Sequence, residues 1–279
     1  MGIRIYQPTS PGRRRSSVND YAELVGRQQP QKSLLKTIKQ DAGRNAQGKI
    51  TVRHRGAGNK RFYRQIDFRQ ERYGQLATVL GIQYDPNRSA HIALVEYADH
   101  EKRYILAPTG LAVGATVVTS PDRIEVKTGN RTQLQYIPTG VPIHNIELVP
   151  GQGGAIVRSA GNAATIMAIE GDHASLKLPS GELRKIIKTA MASIGQLSNI
   201  DHGNIRWGKA GRLRWKNRRP SVRGKAMNPV DHPHGGGEGN QPIGMKYPKT
   251  PWGKHALGVK TRRKKKYSNS LILSRRPKR

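Results

Sequence analysis

The chain has 279 residues and carries 50 lysines and arginines against 18 aspartates and glutamates, a formal net charge of +32. Self-repulsion of that size opposes an isolated compact globule, so the composition predicts a polyanionic partner. The chain has no cysteine, which excludes disulfides, thiolate zinc sites and cysteine nucleophiles, and no apolar run approaches the roughly 18 residues of a membrane span.

The excess positive charge lies at the two ends of the chain. Residues 1–75 hold 17 basic and 5 acidic residues, residues 76–200 hold 11 and 10, and residues 201–279 hold 22 and 3. The two ends lack a regular apolar period, so on their own they are expected to be disordered. We therefore predict a basic amino-terminal extension at 1–75 and a basic, Gly/Pro-rich carboxy-terminal extension at 201–279.

The first candidate contact segment is "VRHRGAGNKRFYRQIDFR" (52–69), in which six basic residues surround Tyr63. Lysine and arginine neutralise phosphates and aromatic rings stack on unpaired bases, so this segment predicts contact with RNA or DNA. Phe62, Ile66 and Phe68 are expected to bury locally instead. The predicted contact residues are Arg53, Arg55, Lys60, Arg61, Arg64 and Arg69.

The middle of the chain consists of short segments that are rich in β-branched residues and often alternate with polar ones. Turn signals separate them about every ten residues, a spacing that is typical of all-β barrels or sandwiches. "YDPNRSA" (84–90) and "LPSGE" (178–182) predict hairpin turns. With two Phe and three Trp in the chain, the core must consist of Val, Ile, Leu and Ala. We predict two small barrels, at 76–125 and 126–200.

Two arginines of this near-neutral middle, Arg88 and Arg158, lie on glycine- or turn-rich tips. An arginine on a rigid loop is well placed to bind a phosphate with two parallel hydrogen bonds. The alternative is a surface salt bridge, for example between Arg88 and Asp85. The residues alone leave both possibilities open.

A second basic segment, 204–229, has nine basic residues between Arg206 and Lys225 and no carboxylate. Its alternative interpretation is a solvated charged face with its two tryptophans in the core. Such a face would normally mix charges of both signs, so we favour nucleic-acid contact. The predicted contact residues are Arg206, Trp207, Lys209, Arg212, Arg214, Trp215, Arg218, Arg219 and Arg223.

The loop "NPVDHPHGGGEGN" (228–240) contains two histidines and two carboxylates. A metal site would need three or four converging ligands, and acid–base catalysis would need a substrate pocket, for which no other signal is present. We favour a nucleotide contact in which glycines allow close approach of the backbone. No catalytic residue, metal or cofactor is predicted, and the expected contacts here are His232, His234, Gly235 and Gly236.

The end of the chain, 260–279, has ten basic residues in twenty. It suits either a nuclear-localisation patch or an RNA-binding arm, and the sequence alone barely separates the two. The run "SLILS" within it indicates a short ordered element. Arg262 and Arg263 are predicted RNA contacts.

These motifs resemble, in order and essentially end to end, the family of the bacterial-type large ribosomal subunit protein two. The match is carried by "RHRGAGNKRFYRQIDFR", "YDPNRSAHIALVEYADHEKRYILAP", "LPSGELRKI", the 33-residue block 207–239, "PWGK" at 251–254 and "KTRRKKK". The resemblance implies an OB-like barrel followed by an SH3-like barrel, with extensions threading into rRNA. It also implies a protein that is not an enzyme: a primary rRNA binder near the peptidyl-transferase region, supporting subunit association, tRNA binding and assembly of that centre.

By the same resemblance, the rRNA-binding arginines of the family fall on Arg88 and Arg158, and Lys254 in the "PWGK" motif is a further predicted rRNA contact. The family histidine once proposed for peptide-bond formation falls on His232, for which we expect a positional role because rRNA carries out peptidyl transfer. One departure is visible: Gly-Ala-Gly-Asn (56–59) stands where the family commonly has Gly-Gly-Gly-His. If the middle position needed positive φ, Ala57 would be strained.

The partners implied are large-subunit rRNA, neighbouring ribosomal proteins, the small subunit at an intersubunit bridge and, indirectly, tRNA, without a membrane. The expected location is the cytoplasm, in the ribosome. Two alternatives remain. A nuclear or chromosomal DNA-binding protein would fit the basic tail, although no zinc-finger, zipper or recognition-helix pattern supports it. A metal-dependent hydrolase would be centred on His232 and His234.

Overall fold

The computed structural model describes residues 2–276, which divide into two compact units. Unit 1 comprises residues 2–39, 60–210 and 270–276, and unit 2 comprises residues 40–59 and 211–269. No helix within the described residues combines the length and the apolar character that crossing a membrane requires.

The strands all belong to unit 1, as far as the structure describes the chain. They are β1 Ile3–Ile5, β2 Ser17–Asn19, β3 Leu35–Thr37, β4 Phe62–Arg64, β5 Leu76–Gln83, β6 Ile92–Tyr97, β7 Lys102–Leu106, β8 Thr116–Val118, β9 Arg131–Gln133, β10 Pro142–His144, β11 Ala164–Glu170, β12 His173–Lys177, β13 Leu183–Ile187, β14 Met191–Ile194 and β15 Ile272–Ser274. The helices are α1 Pro11–Arg14 and α2 Ala210–Trp215, with 3₁₀ turns at Lys32–Leu34, Leu134–Tyr136, Ile200–Asn204, Gly224–Ala226 and Tyr267–Asn269.

The described strands form two principal antiparallel sheets. The first has the order β7-β6-β5-β8, and the second has the order β15-β13-β12-β11-β10-β14-β9. Two short pairs, β1-β2 and β3-β4, complete the set. The all-β prediction is confirmed, with the OB-like part in the first sheet and the SH3-like part in the second. The limits 76–125 and 126–200 stay a prediction.

Alternating sequence explains why these strands form. In β12, Ala174 and Leu176 are buried while their neighbours are more exposed, the period of two that a half-buried strand requires. Both predicted hairpin turns are confirmed, because residues 84–91 join β5 to β6 and residues 178–182 join β12 to β13. The second turn uses Gly181 at φ +83°, in the left-handed region that favours glycine.

Each sheet covers its own aliphatic core. The second core contains only Val, Ile, Leu and Ala, and the first adds a single aromatic ring, Tyr97. The predicted aliphatic composition is therefore confirmed for these two cores apart from that tyrosine, while the fully buried Tyr104 belongs to a smaller cluster with Ile92 and Leu94. Such cores give the two sheets a rigid base on which surface loops can be held.

The amino-terminal extension is more regular than its sequence suggested. Its backbone from Arg27 to Gln31 lies on the first sheet, where Nε2 of Gln83 donates to the carbonyl of Arg27 at 2.7 Å and the amide of Gln31 donates to Tyr104 Oη at 2.9 Å. A Cβ at Gly81 would lie 2.6 Å from the amide nitrogen of Arg27, so only glycine allows this approach. Buried polar groups of the sheet thus order a segment that has no apolar period of its own.

The carboxy-terminal segment contributes one strand to unit 1. β15 pairs with β13 at the edge of the second sheet, with Ser274 opposite Leu183. The ordered element predicted from "SLILS" is confirmed.

Unit 2 has almost no apolar interior. Its 79 residues, all of which the structure describes, hold 20 basic and 3 acidic residues. Within it, the side chains that are buried belong to His232 and Ser268, and neither is apolar. Short hydrogen-bonded turns and close backbone approaches therefore give unit 2 its form, without a hydrophobic core to offset its ordering entropy.

Candidate nucleic-acid interface

The turn between β5 and β6 holds Arg88 against a buried carboxylate. Asp85 is fully buried and accepts a hydrogen bond from Nε of Arg88 at 2.5 Å, while Nη1 of Arg64 lies 3.7 Å from its other oxygen. The ion pair considered as the alternative for Arg88 is therefore present. Because two guanidinium groups share one carboxylate, the turn keeps an excess of positive charge that attracts anions.

The two arginines on turn tips lie over one aromatic ring. The guanidinium carbons of Arg88 and Arg158 lie 5.7 and 4.5 Å from the ring centre of Phe68. The two guanidinium groups are thus within about 10 Å of each other, which is about one Debye length at 0.1 M salt. An anion between them would therefore be attracted by both charges. No sequence pattern indicates that Phe68 joins them, since this contact is between residues far apart in the chain.

A strained loop carries Arg158. Val157 adopts φ +55°, a conformation that β-branched residues rarely take, and its carbonyl accepts the amide of Asn145 at 2.9 Å. Nη1 of Arg158 donates to the carbonyl of Gly154 at 3.1 Å, and the amide of Gly154 donates to the carbonyl of Phe68 at 2.9 Å. The loop is thereby fastened next to the ring that Arg158 covers.

A buried ion pair supports this loop from below. Arg131 and Glu147 are both buried, with Nη2 and Oε1 3.0 Å apart, and Nη1 of Arg131 donates to the carbonyl of Asn145 at 2.8 Å. Burial lowers the pKa of Arg131, and the neighbouring Glu147 opposes that shift. Glu147 also accepts the amide of Gly153 at 3.1 Å. Sequence reasoning counted these two charges but had no signal that they pair inside the protein.

The other predicted contacts of the first basic segment in unit 1 have mixed positions. Nη1 of Arg61 donates to the carbonyl of Pro86 at 2.7 Å, while Arg69 lies on the surface 3.2 Å from a carboxylate oxygen of Glu71. Lys60 is exposed. Arg64 is largely buried beside Asp85 and therefore braces the turn.

The three apolar residues of that segment divide into two groups. Ile66 and Phe68 pack against small apolar clusters that include Leu106 and Leu94, so their predicted burial is confirmed. Phe62 is 47% exposed, so the prediction is wrong for it. Phe62 lies on the short, two-stranded pair β3-β4, opposite Thr37, which is also exposed.

The start of the second basic segment pairs with the amino-terminal extension in unit 1. The amide of Ser17 donates to the carbonyl of Arg206 at 2.9 Å, and Trp207 bridges to Ser16. Trp207 is half-buried, whereas Arg206 and Lys209 are exposed. The backbone is thus fixed while both basic side chains reach the surface.

In unit 2, two basic segments that are far apart in sequence lie side by side. The backbones of Arg55 and Arg218 form an isolated antiparallel β-bridge. Beside it, the amide of Gly56 donates to the carbonyl of Asn217 at 3.1 Å, and the amide of Arg219 donates to the carbonyl of His54 at 3.1 Å. Like charges held this close are unfavourable in isolation. The pairing therefore concentrates positive charge on one surface, as contact with a polyanion requires.

The departure from the family pattern at 56–59 is accommodated locally. Ala57 does not have a positive φ, so the strain considered for it is absent. Gly58 is required for a different reason, because a Cβ there would clash with the carbonyl oxygen of Trp215. The amide of Asn59 donates to that same carbonyl at 3.3 Å.

The two histidines of the 228–240 loop serve as backbone acceptors. The amide of His234 donates to Nδ1 of His232 at 3.0 Å, and the amide of Lys249 donates to Nε2 of His234 at 2.8 Å. The two ring centres are 4.7 Å apart, and His232 is buried. The pKa of His232 is lowered mainly by desolvation, and to a smaller extent by electrostatic repulsion from His234 and Arg53. The ring of His232 thus shapes the loop, in keeping with a positional role.

The glycines of this loop approach its own backbone. A Cβ at Gly235 would clash with the carbonyl of Asn228, and Gly236 has φ +85°. Asp231 and Glu238 are exposed. Within residues 2–276, no three His, Cys, Asp or Glu side chains converge to hold a metal ion, so the hydrolase alternative finds no ligand set there.

The remaining predicted contacts of unit 2 lie mostly at its surface. Arg262 is tied down, because its Nε donates to Asn269 Oδ1 at 2.7 Å and its Nη2 donates to Ser268 Oγ at 2.9 Å. Arg212 is half-buried. The exposed ones are Arg53, Arg214, Trp215, Arg223, Lys254 and Arg263.

Comparison with protein families identifies both halves of the chain. A model described as "Ribosomal Proteins L2, RNA binding N-terminal domain" matches residues 31–119, which include Arg88 and Phe68. A model described as "Ribosomal Proteins L2, C-terminal domain" matches residues 127–253, which include Arg158 and His232. Together they cover most of the sequence, and the chain belongs to the ribosomal protein L2 family.

Proposed function

We propose that this chain is a bacterial-type primary rRNA-binding protein near the peptidyl-transferase region. There it supports subunit association, tRNA binding and assembly of the peptidyl-transferase centre. Family membership already makes it a structural, RNA-binding constituent of the large ribosomal subunit.

The charge and packing of unit 2 carry the proposal. It holds 20 basic against 3 acidic residues and buries no apolar side chain. Neither hydrophobic burial nor internal ion pairing can offset the repulsion between its side chains. A dense array of phosphates would do so, with release of counterions on binding.

The two units divide the work. Unit 1 is a rigid docking body on which Arg88 and Arg158, side by side on Phe68, bind rRNA phosphates. Arg88 already pairs with Asp85 through Nε, so the carboxylate orients the guanidinium for its second partner. Unit 2 gains its stability as its basic surface binds rRNA, which couples order to assembly.

The partners expected in the ribosome follow from the same proposal. They are large-subunit rRNA through the predicted contact residues, neighbouring ribosomal proteins, the small subunit at a bridge, and tRNA indirectly. The ribosome concerned is the cytoplasmic one. In this account His232 sets the shape of the 228–240 loop and carries out no chemistry.

Replacing the paired arginines tests the docking step. In the full-length chain, Arg88→Ala and Arg158→Ala each weaken binding to deproteinised large-subunit rRNA by about 1–3 kcal/mol, because each removes charge-assisted hydrogen bonds. Filter binding at several salt concentrations measures the effect. Arg123→Ala is the matched control, since it removes an exposed arginine of unit 1 outside the interface.

Equal affinity of Arg88→Ala, Arg158→Ala and the control would contradict the docking step. Competition with duplex DNA separates the remaining alternative: rRNA should compete more strongly, whereas a preference for duplex DNA would favour the chromosomal protein. If binding to rRNA does not weaken as the salt concentration rises, the proposed phosphate contacts are wrong.

A further inference from the structure

Residues 248–256 of unit 2 form a tight hairpin. Lys249 bridges His255, the amide of Thr250 donates to the carbonyl of Lys254 at 2.7 Å, and the amide of Gly253 donates to the carbonyl of Thr250 at 2.9 Å. Gly253 has φ +78°, which closes the turn at no steric cost. The tip of this hairpin is Pro251–Gly253.

The base of the hairpin is fastened to the rest of unit 2. The rings of Tyr247 and His255 lie 3.9 Å apart, and the amide of Lys249 donates to Nε2 of His234 at 2.8 Å. The hairpin is therefore held between this contact of two tilted rings and the 228–240 loop. These contacts give the tip one backbone conformation, which sets the direction in which its side chains extend.

The tip presents a large aromatic ring to solvent. Trp252 is 76% exposed, and within residues 2–276 its indole takes part in no ring stack. The other two tryptophans are less exposed: Trp207 is half-buried, and Trp215 is 49% exposed. A tryptophan that is exposed to this extent has most of its indole surface available to a planar partner.

The charges around the tip indicate which planar partner fits. Lys249 and Lys254 flank Trp252, and the sequence contains no carboxylate from 239 to 279. An indole beside two ammonium groups suits a nucleotide, whose base stacks while its neighbouring phosphates pair with the lysines. An apolar surface of another protein would gain nothing from these lysines.

We propose that Trp252 stacks on an unpaired rRNA nucleotide, with Lys249 and Lys254 at the phosphates on either side. The hairpin is thus a base-stacking element within unit 2. The stacking contact rests on the proposed rRNA-binding function and adds a direct contact to a base, beyond the phosphate contacts of the arginines. Neither face of the indole would have to leave a packed core for this contact to form.

The test replaces the indole and follows both affinity and the RNA base. Trp252→Leu keeps apolar bulk without a stacking face and lowers affinity of the full-length chain for large-subunit rRNA by about 5- to 150-fold. Trp252→Phe keeps an aromatic face and recovers most of the affinity. Because the side chain is exposed, neither change should disturb folding, which circular dichroism checks.

Chemical probing of the rRNA bases gives the second readout. One unpaired base should be protected by the wild type and by Trp252→Phe, and should become reactive with Trp252→Leu. If the wild type binds rRNA but Trp252→Leu leaves affinity and protections unchanged, the stacking contact is wrong while the proposed function stands. If Trp252 instead cross-links to a ribosomal protein in assembled subunits and no base is protected, the contact is likewise wrong. If the wild type does not bind rRNA, the proposed function itself fails.

Discussion

At the scale of single residues, Phe68 links the two parts of unit 1 that carry the docking arginines. Arg88 comes from the first sheet and Arg158 from a loop before β11, yet both cover this one ring. A guanidinium over an aromatic face is stabilised by roughly 0.5–2 kcal/mol and loses freedom to rotate. Phe68 therefore positions the arginines for phosphate.

Replacing Phe68 tests that positioning. Phe68→Leu keeps apolar bulk but removes the ring, and we expect rRNA affinity to fall about fivefold, or about 1 kcal/mol, because the guanidinium groups are no longer held. Phe68→Tyr, which keeps the ring, is the control. In an Arg158→Ala background, Phe68→Leu should cost less, as a double-mutant cycle by filter binding would show. A full and additive loss in that background would remove Phe68 from the interface.

At the scale of elements, strand β10 is joined to the end of β14 by a buried histidine. His144 on β10 donates from Nδ1 to the carbonyl of Gly195 at 2.8 Å, and burial lowers its pKa to about 4. The charged form is thus disfavoured in the folded chain. The folded chain therefore keeps this ring neutral, with its Nδ1–H donated from one strand to the residue that follows the other.

This histidine makes unit 1 sensitive to acid. Between about pH 6.5 and pH 4 the unfolded chain binds a proton that the folded chain does not, so the free energy of unfolding falls as pH falls through that window, by about 3 kcal/mol at most. Urea denaturation followed by circular dichroism at pH 6.5 and pH 4.5 measures it. His144→Asn keeps a donor without titrating, so it should show a smaller loss. If the wild type and His144→Asn lose the same free energy of unfolding between pH 6.5 and pH 4.5, His144 is not the source of the acid sensitivity.

Sequence patterns predicted the strands and turns better than they predicted the contacts between residues far apart in the chain. Alternation located strands such as β12, and the Pro-Asn and Ser-Gly pairs located two hairpins, because these signals are local. The pairing of Arg131 with Glu147, the strained Val157 and the ring shared by Arg88 and Arg158 depend on contacts between residues far apart in the chain. Such contacts leave no periodic trace in a single sequence.

At the scale of the whole molecule, charge and apolar burial are segregated. The aliphatic cores lie in unit 1, while unit 2 combines two distant basic segments, 40–59 and 211–269. Composition revealed the basic ends but could not show that they pair, since bridges such as Arg55 to Arg218 have no signature in either segment alone. A unit built in this way is expected to depend on its polyanion for stability.

Hydrogen exchange on the full-length chain, free and bound to large-subunit rRNA, tests this dependence most directly. In the free chain, the amides of Gly56 and His234 in unit 2 should exchange much faster than those of β6, because no apolar core protects them. On binding rRNA their exchange should slow by at least about tenfold, while β6 changes little. Equal protection of unit 2 in the free and bound chains would contradict the claim that rRNA stabilises it.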